Sequence, residues 1–158
     1  MNVKIPGAAL LACACLLPCV VLAGTTTQPT DVDGVEATLL EAKRGEGDTV
    51  MVKWQLENKT GQKQQMTQQR TGWYDPYRLT GDAYLLDTRN RTKYPVARTP
   101  DRKPVAAKYG APNKYAVIPP KKKVVLWAKF NAPPADVAKV EVYLPTVSLP
   151  FEGVELKP

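Results

Sequence analysis

The chain has 158 residues, 22 Lys and Arg against 15 Asp and Glu, a formal charge of +7 and no histidine. Without histidine there is no His general base, no Ser-His-Asp or Cys-His nucleophile and no zinc or copper site built on imidazole. The moderate positive balance favours anionic surroundings such as envelope polymers or lipid head groups without choosing among them.

The first residues, MNVKIPGAALLACACLLPCVVLAGTTTQPT, place one Lys ahead of an apolar run from Ile5 to Val21 and end it in Val21-Leu22-Ala23. This reads as a bacterial-style secretory signal peptide over residues 1–23, cut after Ala23. Pro6 and Pro18 interrupt the run and no basic flank follows it, which argues against a permanent membrane anchor. The alternative is a lipoprotein anchored at Cys13, because Leu10-Leu11-Ala12-Cys13 resembles a lipobox. Cutting after Ala23 removes Cys13, Cys15 and Cys19 together. The mature chain of about 135 residues, at about +6, then has no disulfide and must be held by an ordinary core. The predicted destination is periplasmic or extracellular, with no transmembrane segment in the mature chain.

Residues 24–33 are Thr, Gln, Pro and Asp with little to bury, and are predicted as a flexible leader. The domain is predicted over 34–158. Val35, Ala37 and Leu39 suggest a first strand, and Val50, Val52, Trp54 and Leu56 alternate with polar residues to give the clearest strand of the chain. Val124, Leu126, Ala128 and Phe130 alternate again. There Val125 and Trp127 make the second face apolar as well, which suggests a central strand covered on both sides, with Trp54 and Trp127 as core anchors. Val140, Val142 and Leu144 form a further strand, and Phe151, Val154 and Leu156 a short last one. No long window beyond the signal has helical spacing, and 15 prolines punctuate the chain. The expected fold is all-β: an immunoglobulin-like two-sheet sandwich of about seven or eight strands, with a small closed barrel as alternative.

Between Tyr84 and Ala106 six basic residues stand against two acidic ones. Tyr84–Asp87 reads as a strand, Thr88–Arg91 as a turn and Thr92–Val96 as the returning strand of a hairpin. Pro95 cannot donate to a ladder, so the return is an edge strand, where Lys and Arg also discourage aggregation. The following segment, from Asp101 to about Asn113, is expected to be an irregular loop. Arg89, Arg91, Lys93, Arg98, Arg102 and Lys103 are therefore either edge protection or a polyanion-contacting strip. A nucleic-acid partner is not expected, since an exported chain lacks the opportunity and no RNA-binding sheet motif or helical reader is visible.

The stretch NKTGQKQQMTQQRTGWYDPYR, Asn58 to Arg78, sets amides beside Trp73, Tyr74 and Tyr77. These three are the candidate partner-binding residues, suited to a peptide or carbohydrate, or they fold back as a local clamp. Asn58-Lys59-Thr60 and Asn90-Arg91-Thr92 match a glycosylation acceptor by chance. Ser148, the sole serine, lacks a nucleophile-elbow setting. Glu41, Glu46, Asp48, Glu57, Asp75 and Asp82 leave a carboxylate hydrolase formally open without any motif spacing. No catalytic, metal or cofactor-binding residue is assigned, and no cofactor is expected.

From Gly81 onward the order DAYLLDTRNRTKYPVARTPDRKPVA, AVIPPKKKVVLWAKFNAPPADVAKVEVYLP and PFEGVEL resembles bacterial secreted immunoglobulin-like domains. These are of the mycobacterial immunoprotective extracellular antigen type, and similar modules occur ahead of OmpA-like domains. The likeness rests on an LLD strand with a basic turn, an Ile-Pro entry into LWAKF, an APP turn and a closing PF-x-x-V strand. It departs where Pro120 replaces a Gly. It implies fold and export, and carries over no catalytic residue. The expectation is an exported, non-enzymatic module that binds an envelope protein or glycan through end loops. The alternative is a structural envelope protein that adheres to anionic polymers or lipid through its basic edge.

Overall fold

The computed structural model describes residues 27–67, 75–110 and 116–158. The predicted signal peptide, with Cys13, lies outside them. The described chain is all-β, with β1 (Thr27–Pro29), β2 (Val35–Gly45), β3 (Thr49–Asn58), β4 (Gln64–Gln65), β5 (Tyr84–Asp87), β6 (Thr92–Pro95), β7 (Val117–Ile118), β8 (Lys123–Asn131), β9 (Lys139–Tyr143) and β10 (Phe151–Glu155). Two four-stranded antiparallel sheets, ordered β1-β2-β3-β8 and β10-β9-β5-β6, stand beside a small β4-β7 pair, and no barrel closes. Without the three short strands, seven remain. The first, second and fifth share one sheet and the third, fourth, sixth and seventh the other, as in a two-sheet β-sandwich. Ten strands exceed the expected seven or eight because β1, β4 and β7 are too short to show a period.

The core lies where the two inner faces meet. Val50, Val52, Trp54 and Leu56 are all buried, as their alternation predicts, and face Leu85, Val140, Val142 and Phe151 of the second sheet within one cluster. Leu126, Ala128 and Phe130 of β8 join them. Trp127 does not. It is 37% exposed and Val125 is 55% exposed, so the outer face of β8 is open and the expectation of two covered faces and a second core tryptophan is corrected. Apolar residues at both parities fix that a strand is present, but not that both its sides are covered.

The predicted leader is also corrected. Residues 27–29 pair with β2 through Thr27↔Thr38 and Pro29↔Glu36. Thr30 is buried, with its hydroxyl donating to the Val35 carbonyl at 3.0 Å, and Asp31 N donates to the Thr146 carbonyl at 2.8 Å. Backbone hydrogen bonding needs no apolar side chain, so composition misses such a strand. At the other end of β2, Lys157 N donates to the Ala42 carbonyl and Arg44 N to the Lys157 carbonyl, which binds the C-terminal tail alongside β2. The Arg44 guanidinium donates to the carbonyls of Pro133, Pro134 and Val137, each at 2.9 Å, and so clamps the β8–β9 connection.

Asn58 ends β3 with a wholly buried side chain. Its amide donates to the carbonyls of Gln62, Ile118 and Pro119, and its oxygen accepts from Thr60 N and Thr60 Oγ1. The Asn58-Lys59-Thr60 acceptor pattern is thus a turn-locking device, and a glycan there is incompatible with the folded domain.

Candidate functional site

The hairpin forms as predicted, with Tyr84↔Pro95 and Asp87↔Thr92 and with β6 at the sheet edge. Asp87 fastens its tip. The buried carboxylate accepts from Arg89 N at 3.0 Å, Asn90 N at 3.2 Å and Asn90 Nδ2 at 2.7 Å. Burial pushes this carboxyl pKa up, but the hydrogen bonds from Asn90 and Arg89 outweigh it and hold the pKa below the ordinary value. Arg89 and Arg91 stand exposed on that tip. Lys93 lies over the Tyr84 ring at 4.3 Å, and Tyr84 in turn stacks on Tyr143 with centroids 4.5 Å apart and planes 10° from parallel. Lys93 and Tyr143 cover opposite faces of Tyr84, so that ring offers no open face to a sugar.

The basic strip does not stay in one place. Val96 leaves the hairpin for the other sheet, bridging to Phe130, after which Ala97 N donates to the Lys129 carbonyl. The chain bulges out over 98–104 and returns to β8, with Lys129 N donating to the Val105 carbonyl and Ala107 N to the Trp127 carbonyl, each within 2.9 Å. The expected irregular loop is therefore an ordered border strip along the free edge of β8, although its predicted end at Asn113 lies outside the described residues. Its turn is built by Thr99, Asp101 and Lys103. Lys103 pairs with Asp101 at 2.6 Å, and hydrogen bonds from Lys103 and Thr99 bring the Asp101 carboxyl down to about 2. Arg98 Nη1 donates to the Arg102 carbonyl at 2.9 Å.

Arg98, Arg102 and Lys103 are thus separated from Arg89, Arg91 and Lys93, which belong to the opposite sheet. They gain other company. β8 directs Lys123, Val125, Trp127 and Lys129 outward, since Leu126, Ala128 and Phe130 face the core. Lys108 follows on the border strip, with its ammonium 5.7 Å from the Tyr77 ring. Hydrogen bonding to Asp101 raises the Lys103 pKa, and Tyr77 adds a smaller contribution in the same direction. The candidate aromatic Tyr77 therefore lies under Lys108 and on the same side of the strip as Lys103. Trp73 and Tyr74 lie outside the described residues. Lys123, Val125, Trp127 and Lys129 form the outer face of β8, with Lys108 on the strip at its edge; Val125 and Trp127 were expected under cover, and the three lysines were not singled out in the sequence. The available signal was the shared parity of 123, 125, 127 and 129.

The chain matches no family model, no curated protein and no solved structure. Chemistry must be read from the residues alone. Glu41 is held by Lys53 at 2.9 Å, and Glu57 by Lys59 at 2.9 Å and Lys123 at 3.5 Å. Hydrogen bonds from Lys53 and Lys59 hold these two carboxyls below the usual carboxylate range, opposite to the upward shift a general acid needs. Asp75 accepts from Tyr77 N as a turn cap, while Glu46 and Asp48 occupy the β2–β3 turn and Asp82 is exposed. Ser148 Oγ donates to Asp31 Oδ1 at 3.1 Å on the surface. Among the described residues no cluster of three or more His, Cys, Asp or Glu could hold a metal ion, and no helix is long and apolar enough to cross a membrane.

Proposed function

We propose that the chain is an exported, non-catalytic immunoglobulin-like module that adheres to an anionic component of the cell envelope, polymer or lipid, through the face formed by β8 and residues 97–108. The observation that carries this reading is the charge balance of that face. Lys123 and Lys129 stand on it, Arg98, Arg102, Lys103 and Lys108 are exposed along the border strip at its free edge, and Asp101 is the sole acid of that strip and is already paired with Lys103. The turn that carries Arg98, Arg102 and Lys103 is closed by its own hydrogen bonds and held to β8 at both ends, at Ala97 and Val105, so its backbone loses little freedom on contact. Export rests on the signal-like residues 1–23.

The test is retention on immobilised dextran sulfate. Changing Arg98, Arg102 and Lys108 together to Glu abolishes it, whereas changing Arg89 and Arg91 to Glu weakens it far less. Moderate salt elutes the unmodified protein, because exposed charges are screened beyond about 8 to 10 Å. Equal retention of both variants refutes this placement of the site. The mass of the exported protein begins at Gly24 without modification; a diacylated Cys13 overturns that part.

A second reading, binding of an envelope protein or glycan through the loop that carries Trp73, Tyr74 and Tyr77, is favoured by the position of Tyr77 beside Lys108. Under it, Tyr77→Ala weakens capture of a partner from an envelope extract at every salt concentration.

A further inference from the structure

Adhesion to a soluble polyanion requires cations and nothing more, yet the middle of this face is apolar. Val125 and Trp127 are two of the four large hydrophobics exposed in the described chain, and they sit on β8 between Lys123 and Lys129. A third, Leu40, continues the row. It is the extra residue of the β-bulge between Leu39 and Glu41, exposed beside Glu41, whose ladder partner Lys53 is in turn paired with Trp127. Val105 lies half-buried on the other side of β8, next to Lys129.

We infer that the anionic partner is a lipid bilayer, with Trp127 and Val125 entering the head-group layer while the surrounding Lys and Arg reach lipid phosphates. This rests on reading the β8 face as the contact surface. An indole is suited to the boundary between head groups and acyl chains, where its ring is accommodated and its N–H stays hydrated. Lysines two residues away on the same face lay their methylene stems along the apolar pair and keep their ammonium groups at the phosphate level. At strand spacing Lys123 and Lys129 are about 20 Å apart, so the apolar pair is bracketed by charge. A second copy of the chain is a poor occupant, since it would set six cations against the same six. The acids elsewhere on the sheet do not oppose docking, because Glu41 is paired with Lys53 and Glu57 with Lys59, two lysines beyond the six.

The experiment compares two ligands, using the protein from Gly24 onward, which carries every strand of the sandwich. Sedimentation with vesicles of phosphatidylglycerol and phosphatidylcholine, and with pure phosphatidylcholine, is run beside retention on dextran sulfate. The protein is expected to bind the anionic vesicles and leave the neutral ones. Changing Val125 and Trp127 together to Ser lowers vesicle binding at least tenfold while dextran sulfate retention stays within twofold. The Arg98, Arg102 and Lys108 to Glu variant loses both. Circular dichroism shows that each variant is folded; if the double Ser variant is not, Trp127→Tyr alone is used, with the difference in brominated-lipid quenching of tryptophan fluorescence between it and the parent as the second readout. Dextran sulfate binding without vesicle binding, or vesicle binding indifferent to Trp127, overturns the bilayer and leaves the adhesion reading standing. Loss of both ligands from the unmodified protein removes both. A concentration-dependent dimer abolished by the Ser changes assigns the face to a second copy instead.

Discussion

Replacing Asn58 by Ala tests whether the turn that closes β3 is built as described. The side chain is fully buried, with its amide shared among three carbonyls at 2.7 to 3.0 Å and its oxygen taking two donors from Thr60. The amide has only two protons, and both oxygen contacts go to one residue, so the five contacts amount to about three independent hydrogen bonds. At about 0.5 to 1.5 kcal/mol each, with the buried Ile118 carbonyl left unpaired, the loss is about 2 to 4 kcal/mol. Urea unfolding followed by far-ultraviolet circular dichroism measures it, with the slope unchanged if the unfolded state is unaltered. Asn58→Asp adds a sharper signature. Its second oxygen would face three carbonyl oxygens, which raises the carboxyl pKa in the folded state above its unfolded value. The native state then binds the extra proton, so this variant becomes more stable as pH falls through the native pKa and levels off near about 4, where the unfolded carboxyl is protonated as well. A loss below about 1 kcal/mol in the Ala variant, or no recovery of the Asp variant on acidification, would show that the site is open to water and that the turn is not held by Asn58.

Trp54→Ala costs about 3 to 5 kcal/mol, whereas Trp127→Ala costs under about 1 kcal/mol; comparable losses would mean that β8 faces the other way. Asp87→Ala accelerates amide exchange at Arg89 and Asn90 by roughly an order of magnitude, leaves the β3 amides unchanged, and softens the hairpin tip without unfolding the domain. The Asp101 carboxyl lies at about 2, below its ordinary value of 3.8, so its pairing stabilises the border strip fully above about pH 4 and that contribution fades as pH falls through 2. Thermal melts of the parent and of Asp101→Asn should therefore differ slightly at pH 6 and converge by pH 2, and a gap that widens on acidification would contradict the pairing.

What was legible in the sequence follows from how each element is stabilised. Alternation at Val50 to Leu56 requires one apolar face, and Pro95 after a polar turn requires an edge; both are local statements, and both hold in the fold. Trp127 was misplaced because Lys123 to Asn131 is apolar at both parities in its centre, and no local rule says which side another element covers. β1 was hidden because Thr-Gln-Pro contributes backbone hydrogen bonds rather than side-chain burial. The basic residues were visible by composition, but their division was not. Whether Arg98 stays with Arg91 depends on a crossing at Val96, which a chain-order reading cannot see. Arg98, Arg102 and Lys103 lie with Lys108 on the strip beside β8, Lys123 and Lys129 stand on β8 itself, and Arg89, Arg91 and Lys93 belong to the other sheet.

The C-terminal tail and β2 run side by side in the same direction, joined by Arg44 N to Lys157 O at 2.8 Å and Lys157 N to Ala42 O at 3.1 Å. Tension applied to the two ends of the domain pulls these neighbours in opposite senses along a common axis. Both bonds must then give way together, in shear, instead of one after the other as in a peeled hairpin. A module fixed to a surface and dragged by flow would thus resist extension at a point where few residues are ordered side by side. Removing the last two residues would lower the force needed to open it well before it lowered the melting temperature, because rupture under load follows the unfolding rate.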